Sequence, residues 1–182
     1  MNRKSHKLQS AIALMVGGVL LAPSAFAEDS DNIIDALKGG TIIFDARFRY
    51  ENVDDQSVDR HGRGNTLRTR FGYETGSWNG FTALIEGSNT VNIGNERYND
   101  TLNGRTDRGV IPDPEGTAIN RAFIRYSGIE DTSLTVGRQT LILDNERFVS
   151  NTNFRQKQST HDAVNFVTNF IPHVTVNYSY AW

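Results

Sequence analysis

An export signal, a series of half-apolar strands and a strict alternation of short and long links predict an all-β fold, an antiparallel transmembrane β-barrel of outer-membrane type. The signal takes the chain out of the cytoplasm. Strands with one apolar and one charged face fit either a sandwich or a barrel wall. The sorted links decide, because a soluble sandwich has no reason to sort its connections by parity.

Arg3, Lys4 and Lys7 precede an apolar run over 11–22 that is too short to span a bilayer comfortably. Pro23-Ser24-Ala25-Phe26-Ala27 follows, with the small residues of an A-x-A cleavage site. That order predicts a secretory signal peptide over 1–27, removed after Ala27, and an exported mature protein. Removal takes three of the 19 basic residues and none of the 21 acidic ones, so the mature chain carries about five more acids than bases. Such a balance argues against a nucleic-acid partner. Only Lys38 and Lys157 survive as lysines, and arginine's planar, permanently charged fork suits carboxylates. Cysteine is absent, which excludes disulfides, zinc–thiolate sites and cysteine nucleophiles.

Residues 28–40 read as a short periplasmic lead-in, with Asp31 or Ser30 capping a brief helix over Ile33, Ile34 and Leu37 and Gly39-Gly40 stopping it. Seven strands follow over 41–182. The first, 41–51, sets Ile42, Phe44, Ala46, Phe48 and Tyr50 against Asp45, Arg47, Arg49 and Glu51. The second, 66–75, sets Leu67, Thr69, Phe71 and Tyr73 against Arg68, Arg70, Gly72 and Glu74. The third, 81–90, has a weaker phase because Leu84 falls on the polar side. The fourth, 118–127, places Ala122, Ile124 and Tyr126 opposite Arg121 and Arg125. The fifth, 133–143, begins with Leu134 and Val136 on one face and ends with Leu141 and Leu143 on the other. That flip predicts a bulge at Gly137-Arg138. The sixth, 163–170, and the seventh, 174–182, keep their phase, the last through Tyr178, Tyr180 and Trp182.

Links after the second, fourth and sixth strands are short; those over 52–65, 91–117 and 144–162 are long and polar. Barrels of the outer membrane have short periplasmic turns and long extracellular loops, so the apolar faces meet lipid and the charged faces the lumen. The inward set is then Asp45, Arg47, Arg49, Glu51, Arg68, Arg70, Glu74, Glu86, Arg121 and Arg125, joined by Arg138 if the bulge turns it inward. Adjacent strands bring Arg47, Arg49, Arg68 and Arg70 into one basic patch. Rings of charge set pore selectivity, so the expectation is a conduit for anionic or polyhydroxylated solutes, with arginine–carboxylate bracing of the wall as the structural alternative.

Other chemistry is weakly supported. Asp54, Asp55 and Asp59, or Asp107, Asp113 and Glu115, lack the spacing of a calcium loop, and solvated surface charge explains them. Ser159, His161 and Asp162 do not form a triad by proximity in sequence, since neighbours on a strand point apart. No catalytic residue, metal or cofactor is expected. The alternatives to a conduit are a barrel acting as an anchor, adhesin or scaffold through its long loops, and a barrel-embedded lipid hydrolase.

The run Gly137 to Val149, G-R-Q-T-L-I-L-D-N-E-R-F-V, with N-F-R-Q-K-Q-S-T-H-D-A after it, resembles the GRQ-x-x-x-x-D-N-x-R-F region of the bacterial alginate-export porin family. T-L-R-T-R-F-G-Y-E-T-G-S-W-N-G-F is similar to that family's second hairpin. The likeness spans roughly 37–166. It implies a monomeric outer-membrane barrel, longer than this chain, that passes a polyanionic uronate polysaccharide through an arginine-lined pore. It makes Arg47, Arg49, Arg68, Arg70, Arg121, Arg125 and Arg138 candidates for that lining. Seven strands, with the seventh running outward, also suggest the front part of a longer barrel that the outer-membrane assembly machinery would insert.

Overall fold

The computed structural model describes residues 14–16, 29–143 and 145–182. The expected signal peptide and its cleavage site lie outside the described residues, except for a three-residue strand, β1 (Leu14–Val16). Helix α1 (Ile33–Lys38) and seven further strands complete the chain: β2 (Thr41–Val53), β3 (Gly62–Glu74), β4 (Phe81–Asn92), β5 (Gly116–Ile129), β6 (Thr132–Gln139), β7 (His161–Ile171) and β8 (Val174–Ala181). They form one antiparallel sheet in sequence order, an open wall with β1 and β8 at its edges. The predicted all-β architecture is present, and each of the seven predicted strands is found.

Local chemistry sets the turns. Asn79 and Gly80 both take positive φ, 48° and 79°, between reciprocal backbone bonds of 2.9 Å linking Trp78 and Phe81. That is the two-residue loop whose twist matches its flanking strands. Asp131 (φ 53°) turns β5 into β6, and His173 (φ 64°) turns β7 into β8. The links over 54–61, 93–115 and 140–160 lie at the opposite end of the strands, so the sorting read from the sequence holds.

The lead-in helix forms with a different cap. Asn32, not Asp31 or Ser30, accepts the Ile34 N–H at 2.9 Å, because the Ser30 hydroxyl is engaged with the Asn32 carbonyl. Gly39 closes the helix by donating to Asp35 at 2.8 Å. The helix docks on the β3–β4 turn: Gly76 donates to the Ala36 carbonyl at 2.8 Å, and Asp29 accepts from the Ser77 hydroxyl at 2.8 Å and from the Gly80 N–H at 3.2 Å. The two bonds to Asp29, the Ser77 one foremost, hold its carboxyl below the ordinary carboxylate range.

Two phase changes differ from the sequence reading. The bulge expected at Gly137-Arg138 does not form: pairing of β6 with β7 runs without interruption from Thr132–Thr168 to Gln139–His161. The strand ends at Gln139 and the chain leaves the sheet, which is why Leu141 is buried without any flip. Gly137 instead relieves a close approach. Its φ is 125°, and a Cβ there would collide with the Ala122 carbonyl. A bulge occurs in β5, where Glu86 pairs with Arg121 but Gly87 pairs with Ile119, leaving Asn120 as the extra residue.

The two faces separate cleanly. Ile42, Phe44, Phe71, Ile85, Ile124 and Tyr178 are all exposed, Phe71 at 65%, on the apolar face. The core lies on the other face and includes residues from the long links: Tyr98, Ile111, Asp113 and Gln156 are fully buried there.

Candidate functional site

The inner face starts from pairing register. Arg47 lies opposite Arg68, Asp45 opposite Arg70 and Arg49 opposite Thr66, so the four arginines form the expected contiguous patch. Residues directly opposite share a face, and like charges there repel unless something intervenes. Here the long links intervene. Arg49, Arg68 and Arg70 are only 3%, 2% and 8% exposed.

The link over 140–160 supplies most of the cover. Arg47 donates from Nε to Gln156 Oε1 at 3.0 Å and from Nη1 to the Asn153 carbonyl at 2.7 Å, and it also bonds the Arg155 carbonyl. Arg49 bonds the Phe154 carbonyl, and its guanidinium stacks 4.1 Å from the Phe154 ring centroid. Gln156 ties both long links to two strands. Its side chain donates to the Thr66 hydroxyl at 2.7 Å and carbonyl at 3.1 Å, while its backbone N–H donates to Asp113 at 2.8 Å. Asp113 comes from the 93–115 link and lies 3.6 Å from Arg49. The same link packs Tyr98 and Ile111 on Gly64, where a Cβ would sit 3.1 Å from Ile111 and 3.2 Å from Tyr98.

Carboxylates pair most of the remaining charge. Arg49 lies 2.6 Å from Glu51, and Arg155 reaches Glu51 at 3.4 Å. Arg68 pairs with Asp45. Arg121 grips Glu86 with two bonds of 3.1 and 2.7 Å, and the bulged Asn120 adds a third donor at 2.5 Å. Arg125 and Glu74 are 3.9 Å apart and both partly exposed. Arg70 has no carboxylate partner among the described residues, and its Nε and Nη2 meet no acceptor there. The positive surplus of the wall therefore rests with Arg47, which carbonyls hold, and Arg70.

Beyond this covered half the inner face opens. Arg121, Phe123, Arg125, Thr135, Gln139 and Asn165 line a recess of about 420 Å³, with the Arg125 guanidinium 5.1 Å from the Phe123 ring centroid. Arg138 is elsewhere. Without the expected bulge it stays in phase with Leu134 and Val136 on the apolar face, where it forms a two-bond pair with Asp162 at 2.9 and 2.8 Å. That pair also occupies the carboxylate of Asp162, so Asp162 does not orient His161.

Sequence reasoning misses Asn120, Gln156 and Phe154, and its reading of Asp113 as solvated surface charge is overturned, since that carboxylate is fully buried. A signal for Asn120 existed: Ile119 and Ile124, both exposed on the apolar face, are five residues apart, an odd spacing that requires an extra residue. The other three belong to links whose inward fold no local pattern encodes. A family model described as alginate export matches residues 41–173. No curated protein and no solved structure matches the chain.

Proposed function

This chain belongs to the alginate-export family, one of outer-membrane transport porins rather than an enzyme class, and from that premise we propose that it walls a channel for passive passage of anionic or polyhydroxylated solutes, uronate polysaccharide among them. The observation that carries this reading is the division of the sheet into an exposed apolar face and a charged, arginine-rich face. A lipid-facing apolar band and a polar interior is the pattern of an outer-membrane barrel. The short turns and docked lead-in face the periplasm and the long links face outward. Residues 1–27 are removed on export, the assembly machinery inserts the barrel, and the protein acts as a monomer.

Within this reading the inner residues divide their work. Arg121 and Arg125 meet the passing solute. Arg47, Arg49 and Arg68, with Asp45, Glu51 and Glu86, hold the wall and its inward links together. Glu74 moderates Arg125, and Arg138 takes no part in the lining. Single-channel recording of the full-length protein in a planar bilayer tests the proposal. An anion-preferring conductance blocked by oligouronates supports it. Cation preference or no block overturns the choice of solute, and no conductance at all favours a scaffold.

A further inference from the structure

A second basic cluster lies at the long-link end of the wall. Arg60, Arg63, Arg97 and Arg108, together with His61 and Asp59, line a recess of about 260 Å³. It includes Arg63 near the start of β3 and three arginines of the long links, and backbone bonds fix it. Arg60 donates to the Asp107 carbonyl at 3.0 Å, Gly109 to the Arg60 carbonyl at 3.1 Å, and Arg63 to the Arg97 carbonyl at 2.8 Å. These bridges set Arg60 beside Arg108 and Arg63 beside Arg97. Like charges so placed are unfavourable without an anion among them.

Local counter-charge is thin. Arg60 has an exposed pair with Asp107 at 3.3 Å, and His61 lies 3.2 Å from Asp54. Arg63, Arg97 and Arg108 make no ion pair with a described carboxylate, leaving Asp59 as the acid in the recess itself. Several arginine forks around one small recess suit a multiply charged oxyanion.

Position selects the source of that anion. Arg63 is in phase with Leu67, Phe71 and Tyr73, on the apolar face. Tyr73 is ten residues further along β3, or about 33 Å of strand. At a tilt near 40° this is roughly 25 Å of height, the thickness of a barrel's apolar band. If Tyr73 marks one edge of that band, Arg63 stands at the head-group level of the other.

We propose that this recess binds the phosphate groups of a phosphorylated lipid in the outer leaflet, an inference that rests on the outer-membrane orientation given above. The test is native mass spectrometry of the full-length protein in detergent, exposed to a diphosphorylated glucosamine lipid or to its dephosphorylated form. The wild type should retain the phosphorylated lipid about tenfold or more better than the dephosphorylated one, and better than an R63Q/R97Q/R108Q variant by a similar factor. Heat-modifiable gel mobility establishes that the variant is folded. Equal retention by the folded variant overturns the site. Displacement of the lipid by millimolar inorganic phosphate marks a free-anion site and overturns the lipid assignment, as does preferential retention of an oligouronate. Conductance of the same variant separates the two readings. Loss of lipid retention with conductance intact supports the site, and lipid retention without any conductance would sink the channel alone.

Discussion

The β2–β3 half of the inner face and the β5–β7 half carry the same residue type on the same side of one sheet, yet the chain treats them oppositely. Arg47, Arg49 and Arg68 are held by Asn153, Phe154, Gln156 and neighbouring carboxylates. Arg121 and Arg125 border an open recess. An arginine's place on a wall therefore does not fix its role; what covers it does. Guanidinium groups bonded to the inward links are committed to the fold, while those that border the recess remain available to a solute.

The largest expected effect breaks the covered half. Arg49→Gln leaves Glu51 and Asp113 buried without their main cation and should cost about 3–5 kcal/mol, read from urea unfolding of the protein in detergent. Destabilisation by a few tenths would show that the roof is not structural. Gln156→Ala comes next. It strips Arg47 Nε and Thr66 of their partner, for roughly 1–3 kcal/mol, and should expose the 140–160 link to limited proteolysis and enlarge single-channel conductance. An unchanged conductance would mean that this link does not narrow the path.

Arg125→Gln belongs to the open half and should alter stability by less than about 1 kcal/mol, since the pair with Glu74 is long and partly exposed. Its effect should appear in ion selectivity instead. Arg138→Gln sharpens the contrast: its side chain lies on the apolar face, so selectivity should stay at the wild-type value. The smallest effect concerns the lead-in. Asp29 has a depressed carboxyl pKa in the folded chain, so its contribution is present above the ordinary carboxylate value and lost as pH falls through the depressed one. Fluorescence of Trp78, read as the difference between the protein and its Trp78→Phe variant, should stay constant at mildly acidic pH and change only below the usual carboxylate range. In Asp29→Asn that change should be absent.

Much of the wall was legible in the sequence because a strand's period of two is local. Ile42 through Tyr50 against Asp45 through Glu51 fixed both faces, and Asn79-Gly80 fixed a turn. The roof was not legible. Tyr98, Ile111 and Gln156 are buried by partners 30 to 110 positions away, such as Gln156 with Arg47, and no window of sequence holds both members. Their polar surroundings made the links look solvated. Arg138 stays on the apolar face for a related reason: the apolar Leu141 and Leu143 suggest a phase flip within a strand, whereas the chain leaves the sheet at Gln139. Register alone places Arg47, Arg49, Arg68 and Arg70 side by side, while the burial of Arg49, Arg68 and Arg70 is not readable from register.

The central claim, that the open half faces the solute while the covered half braces the wall, is tested most directly by reversal potential across a salt gradient. The comparison is between Arg121→Gln/Arg125→Gln and Arg47→Gln in the full-length channel. The double variant should lose most of the anion preference, and Arg47→Gln should keep it. Loss of preference on Arg47→Gln with the double variant unchanged would contradict the division of labour between the two halves.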